Sequence, residues 1–380
     1  MDWERSLQAL QGKTTSMKFK KIDYLTWARH YMGRFQIDLA KSNVKAVSKE
    51  ELGAGIDHIE LGGPHEDGCD ELYELLAQKY GVERENVFVT NGATQAIFLT
   101  CAALLEQGDR LLLETPNYEP LYRVPLHFGA EITNLERRFE RGFQIDLEEV
   151  ERKVSRSTSA LIMTNLHNPS GASTNPDKLL TIGQILREGN GHVLCCESYL
   201  EGALEAEVSA AVNCGQNLIS IGSLSKIYGL GGVRGGWIIA PEKIINRCKE
   251  IGDYISGGTA WPTQTLTLHA LKNGPRLVER TKTIVRENLS VVRAWIEERE
   301  EIEWFEPEGG TVALLKMPHE INTMKLSNLL KEKYSTLLVP GDFFSMHDFV
   351  RISIGGPRET LEKGLQNIAK AVDDLKSSNR

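Results

Sequence analysis

One segment constrains this chain more than any other: Ser223-Leu-Ser-Lys226-Ile-Tyr-Gly-Leu-Gly-Gly-Val-Arg234-Gly-Gly236. It follows the apolar run Leu218 to Ile221 and precedes the apolar run Trp237 to Ala240, so it reads as a glycine-rich connection between two short strands. Glycines let a backbone approach a ligand closely. A lysine in a partly dry pocket loses its proton more readily and becomes a nucleophile for carbonyls. Arg234 can fork onto a phosphate, and the Ser223 hydroxyl can add a donor. A ligand with both an aldehyde and a phosphate satisfies all three, and pyridoxal 5′-phosphate (PLP) is such a ligand. The same residues would also serve as a basic, exposed turn.

Composition removes several classes. At 380 residues the chain can bury a large core, and two linked domains are expected. A formal charge of −8 argues against a nucleic-acid or anionic-membrane partner. No apolar run approaches the roughly 18 residues of a membrane span, and the charged stretch from Met1 to Lys21 lacks a secretion-signal core. The six cysteines form no CxxC pair and no zinc-like spacing with histidine, which predicts reduced thiols, no metal and a cytoplasmic location.

Strands are expected at Val87–Thr90, Arg110–Glu114, Ala160–Thr164 and His192–Cys196, with helices at Asp70–Tyr80, Gln95–Leu105 and 178–188. Strands alternating with helices imply a doubly wound α/β domain, which binds ligands at strand ends. Polar residues gather there. Gly92-Ala93-Thr94 at a helix start offers free N–H groups to an anion, or is a plain turn. Tyr118 can lie flat on a ring or pack in a core. Asn168-Pro-Ser-Gly is a turn sequence in its own right. Arg351 sits inside the apolar strand Phe349–Ile354, where it needs a partner: a salt bridge or a ligand carboxylate. Further strands are expected at Thr311–Lys316 and Leu337–Val339, with a long charged helix over 276–300. Trp27, Tyr31 and Phe35 recur at four-residue spacing, which predicts a packing helix over Ile22–Phe35.

The Lys226 segment resembles the PLP-lysine signature of the class I/II aminotransferases, the fold-type I family related to aspartate aminotransferase. Gly235 departs from it where an apolar residue is usual. The resemblance extends over about residues 35–375. It implies that Lys226 bonds the aldehyde, that Gly92, Ala93, Thr94, Ser223 and Arg234 hold the phosphate, and that Tyr118 stacks on the ring. It implies that Asn168 and Tyr199 bond the phenolic oxygen, and that Arg351, with Asn168 and Ser42 nearby, holds the substrate carboxylate. Asn43 is a further contact candidate. The family often has a Tyr reaching the cofactor phosphate of the other subunit; Gly63 stands at that position, leaving His65 or another residue to substitute.

The departure that matters chemically is Cys196. The family has an Asp there, paired with the protonated pyridine nitrogen, and Glu197 follows one place later. Successive strand side chains point to opposite faces, so Glu197 reaches that nitrogen only through a bulge or twist. A thiol is a weaker partner and would suit elimination or replacement better than full transamination. The expectation is therefore a PLP-dependent aminotransferase acting on an α-amino acid and a 2-oxo acid, with Lys226 as base. A PLP lyase or β-replacement enzyme, and a non-catalytic PLP-binding module, are the alternatives. The expected organisation is an N-terminal arm (1–45) belonging to the small domain, a large PLP-binding domain (46–275) and a small α/β domain (276–380). The resemblance implies a homodimer.

Overall fold

The computed structural model describes residues 19–53, 62–63 and 68–378. Seven strands make the central sheet: β1 (Val87–Thr90), β2 (Arg110–Thr115), β3 (Glu131–Glu136), β4 (Thr158–Thr164), β5 (His192–Cys196), β6 (Leu218–Ser223) and β7 (Gly236–Ile239). Their order is β1-β7-β6-β5-β4-β2-β3. Neighbours are parallel except where β7 meets β1 and β6. Two antiparallel steps restore direction, so β1 ends at the same sheet edge as the parallel strands.

Strands covered on both faces carry continuous apolar runs, and β5 and β6 do. Their side chains divide by parity. Leu194, Cys196, Ile219 and Ile221 pack with Ile97 of the helix Ala93–Leu104. Val193, Cys195 and Leu218 pack on the other face with Leu179, Ile182 and Leu186 of the helix Pro176–Arg187. That helix begins two residues before its expected start. Pro176 suits a first turn, where no N–H partner is needed, and the Asn175 side chain caps it by accepting from Lys178 N.

A second, antiparallel sheet contains β8 (Glu303–Trp304), β9 (Val312–Lys316), β10 (Val339–Pro340) and β11 (Phe349–Ser353), in the order β10-β11-β9-β8. The 24-residue helix Gly274–Glu297 packs Val285, Leu289 and Val292 against it, an i, i+4, i+7 stripe. The same helix also holds the loop that carries Lys226 at the end of the seven-stranded sheet: Thr281 Oγ1 donates to Ile227 O at 2.6 Å.

Three expectations change. The strand expected over Leu337–Val339 is split: Thr336–Leu337 pairs in parallel with Ile37–Asp38 of the arm, and β10 pairs with β11. The arm inserts at this point, so each half finds a different partner. The first helix runs only over Asp23–Tyr31, because Met32 turns extended and Gly33 follows with φ +77°. Phe35 therefore lies beyond the helix, while Trp27 packs on Phe343 with ring centroids 5.2 Å apart. Strand β3 and the helices Pro120–His127 and Glu242–Asp253 have no counterpart in the sequence reading. β3 is an edge strand with charged ends, which hides the usual apolar run.

A buried ion pair braces the seven-stranded sheet. Arg137 Nη1 donates to Glu114 Oε2 at 2.6 Å, with both side chains inaccessible. Glu114 Oε1 accepts from Thr164 N and Oγ1 at 2.9 and 2.7 Å, and Thr164 Oγ1 accepts from Asn168 N at 3.1 Å. Removing one partner leaves a buried charge uncompensated. Arg137→Met should therefore lower stability by about 3–5 kcal/mol, measured as a shift in the urea unfolding midpoint. Arg137→Met combined with Glu114→Gln should recover part of the loss.

Candidate active site

Strands β1, β2, β4, β5 and β6 deliver their polar followers to one edge of the sheet. There the arm and β11 close a cavity of about 500 Å³. Larger clefts of about 770 and 870 Å³ lie elsewhere, and neither contains Lys226.

Lys226 is half-buried, with Nζ donating to Ser42 Oγ at 2.6 Å and Asn43 Oδ1 at 3.1 Å. Burial, helped by the positive charges of Arg351 and Arg234, lowers its pKa from 10.5 to about 7. A fraction of the amine is then neutral near neutral pH, the form that attacks a carbonyl.

Tyr199 lies beside the lysine. Burial pushes its pKa up to about 12, and its hydroxyl donates to Ser42 O at 3.1 Å. Tyr118 also lines the cavity, and burial raises its phenol as well. Among the residues named from sequence, Ala93, Thr94, Asn168 and Arg234 line the same cavity.

Gly92 and Ser223 do not line it but shape it. Gly92 has φ +82°, and a Cβ there would lie 2.7 Å from Arg234 Nη2. A Cβ on Gly236 would lie 2.5 Å from the Gly92 carbonyl carbon. Bare backbone at both positions leaves room for the guanidinium beside the first N–H groups of the helix Ala93–Leu104, an anion cradle. Ser223 Oγ bonds Ser198 Oγ at 3.2 Å and Ser225 Oγ at 2.9 Å.

The parity of β5 separates Cys196 from Glu197. Cys196 and Ser198 line the cavity, with Sγ 3.7 Å from Ser198 Oγ, and burial raises the thiol pKa. Glu197 points to the opposite face. Its Oε1 accepts from Ala211 N at 2.6 Å, and burial pushes its pKa up to about 8. No bulge brings it round: β5 continues in register on β6 through Cys196.

Arg351 is 1 % exposed. Its Nη1 donates to Asn168 Oδ1 at 3.3 Å, and its Nη2 donates to Tyr24 Oη at 2.8 Å and Ala40 O at 3.3 Å. Its charge also lies over the rings of Phe344 and Tyr24, 5.1 and 5.5 Å from their centroids. None of these partners is a carboxylate. The Tyr24 hydroxyl accepts from the guanidinium and so keeps its own proton to donate.

Tyr24 was absent from the sequence reading. Its helix is fixed by Glu119, whose carboxylate accepts from Asp23 N at 3.0 Å and Tyr24 N at 2.6 Å. The only sequence signal was an acidic residue next to Tyr118. Gly63 also has a structural reason: a Cβ there would come within 2.2–2.6 Å of the Trp261 ring. His65 lies outside the described residues. Trp261 Nε1 is buried with no partner among the described residues.

An amine of lowered basicity, backbone N–H groups beside a guanidinium, a buried phenol and a second guanidinium with no carboxylate partner among the described residues share one cavity, a set of groups that fits PLP and an amino-acid carboxylate. The sequence profile for "Aminotransferase class I and II" matches residues 33–368. The chain is 28% identical over 360 residues to capreomycidine synthase of Streptomyces vinaceus, covering 90% of this chain and 92% of that one. It is 26% identical over 347 residues to aspartate aminotransferase of Pyrococcus horikoshii, covering 88% of each. A PLP-dependent aminotransferase structure from Streptococcus suis 89-1591 superposes with a TM-score of 0.89 at 26% identity, covering 94% of this chain and 99% of that one.

Only the neutral amine attacks an aldehyde, so a lysine pKa near 7 has a kinetic signature. The rate of PLP uptake by the cofactor-free chain, followed by its visible absorbance, should rise as pH increases through about 7 and level off above it. An ordinary lysine would keep the rate rising towards pH 10.

Proposed function

The chain belongs to the class I and II aminotransferase family, a PLP-dependent enzyme of fold type I, and from that premise we propose that it moves the amino group of an α-amino acid to a 2-oxo acid. The observation that carries this reading is the pairing of Lys226 with Arg351 in one cavity.

When bound, PLP supplies an aldehyde for the amino group and a ring that takes up electrons from a broken bond at Cα. Arg234 and the helix start at Ala93 would hold its phosphate, with Gly92 and Thr94 in the same turn and Ser223 supporting this end through Ser225. Tyr118 would offer a face to the ring, and Asn168 and Tyr199 would serve the phenolic oxygen.

Arg351 binds the substrate α-carboxylate through N–H groups not engaged by Asn168, Tyr24 and Ala40. Tyr24 adds a hydroxyl proton, and Ser42 lines the same wall. Lys226, whose amine Ser42 and Asn43 hold by hydrogen bonds, would be the group that takes the proton from the substrate Cα and later gives it back. The family premise also supports a homodimer.

A second reading has its own support. Cys196 is a neutral thiol where the family's carboxylate would sit, and it does not keep a facing ring nitrogen protonated. A weaker electron sink favours elimination or replacement, and one relative is named a synthase rather than an aminotransferase. The test is to incubate the PLP-loaded chain with single amino acids and no oxo acid. One equivalent of oxo acid per site, with loss of the visible band, supports transamination. Ammonia accumulating over many turnovers would replace it with the second reading.

Lys226→Ala should abolish the lysine-dependent visible band and lower turnover by at least about 10²–10⁴-fold, the usual contribution of a positioned proton-transfer group. Cys196→Asp should increase transamination relative to any elimination, measured as the ratio of oxo acid formed by exchange to ammonia released. An unchanged ratio would mean that the thiol does not set the chemistry.

A further inference from the structure

A thiol and three hydroxyls stand in line along one side of the cavity. Cys196 Sγ lies 3.7 Å from Ser198 Oγ, Ser198 Oγ lies 3.2 Å from Ser223 Oγ, and Ser223 Oγ lies 2.9 Å from Ser225 Oγ. Cys196, Ser198 and Ser223 are buried. None of the three hydroxyls bonds any other described residue. Cys196, Ser198 and Ser225 line the cavity and Ser223 does not, so the chain leaves the wall at one point and returns at another.

Its ends differ. Ser225 belongs to the anion cradle: a Cβ on the neighbouring Gly231 would lie 3.9 Å from Ser225 Cβ, and the Gly231 carbonyl accepts from Arg234 Nη1 at 3.1 Å. Cys196 closes the other end, on the last residue of β5.

Each of these groups brings one proton. A hydroxyl that faces an anion donates to it and must accept from behind. With an anion in the cradle, Ser225 donates into the cavity, Ser223 donates to Ser225, Ser198 donates to Ser223, and the Cys196 S–H donates to Ser198. The sulfur then turns lone pairs to the cavity. Turning its proton inward instead leaves one internal link of the chain without a hydrogen, an unmade bond in a buried place.

We propose that Ser198 is a positioning residue for the Cys196 thiol: through Ser223 and Ser225 it senses an anion in the Arg234 cradle and fixes the sulfur as a hydrogen-bond acceptor towards the cavity. The consequence for chemistry rests on the PLP reading above, in which Cys196 faces the ring nitrogen. A thiol alone turns either way and holds no proton on that nitrogen. A thiol locked as an acceptor meets the nitrogen favourably only when the nitrogen carries a proton. The chain thus ties the protonation of one end of the ligand to the phosphate at the other. The titratable groups acting on the thiol are Lys226, Glu197, Cys195, Tyr118 and Tyr199, and none of them enters the chain.

Infrared spectroscopy reads the thiol's own proton. In the cofactor-free full chain, the S–H band that Cys196→Ala removes should move to lower frequency when inorganic phosphate is added to saturation. Ser198→Ala and Ser225→Ala should each abolish that response, and Ser198→Thr, which keeps the hydroxyl, should retain it. In the PLP-loaded chain with an isotopically labelled ring nitrogen, NMR should show the nitrogen's titration midpoint falling by about one pH unit in Ser198→Ala, the contribution of one hydrogen bond. The same substitution made on top of Cys196→Asp should leave the midpoint in place, because a carboxylate needs no chain behind it. A phosphate-insensitive S–H band, or an unmoved midpoint in Ser198→Ala, would overturn the relay and leave the PLP reading intact. A wild type that takes up no PLP would overturn that reading, and the S–H band would still decide the relay.

Discussion

One buried guanidinium organises this molecule. Arg351 lies in a strand of the small sheet, yet its three hydrogen-bond partners among the described residues are Tyr24 and Ala40, near the start of the chain, and Asn168, in a loop after a strand of the seven-stranded sheet. Among the described residues its compensation is neutral oxygens and aromatic faces. A buried cation without a counter-ion is unfavourable, so an anion reaching it is drawn strongly. The same charge lowers the basicity of Lys226. On the proposed reading, a carboxylate bound to the guanidinium would weaken that influence and make the amine a stronger base, so that substrate binding would prepare the group that acts on it.

The fold was legible in the sequence wherever strands are buried on both faces. Runs such as His192–Cys196 and Leu218–Ile221 announce themselves, and the residues after them fall at one sheet edge by topology alone. Strand β3 was not legible, because an edge strand exposes its polar face. Tyr24 was hidden for another reason. Its contact with Arg351 spans 327 residues of sequence, and its aromatic character reads equally well as packing, which it also does against Tyr118. Glu119 was invisible likewise, because capping a helix 96 residues away leaves no local pattern.

The contrast between Cys196 and Glu197 shows how far a period-two rule can reach. Adjacent residues at the end of β5 go to opposite faces, one to the cavity and one to a closed space beside Ala211. Sequence order placed a carboxylate within one residue of the cavity-lining position. Strand geometry placed it behind the sheet. Burial then keeps the thiol neutral and raises the carboxyl's pKa, so neither group carries the charge that its position suggests at first sight.

The helix Gly274–Glu297 touches both the loop of Lys226 and the segment after Arg351. Thr281 grips the carbonyl of Ile227, the residue after the lysine, and Asn288 grips Ile354 O at 2.9 Å, three residues beyond Arg351. Seven residues separate the two grips, almost two full turns, so they share one face about 10.5 Å apart along the axis. The helix therefore works as a gauge bar. The span between the Lys226 loop and the strand of Arg351 is held by the pitch of one helix and does not depend on how the two sheets happen to settle against each other.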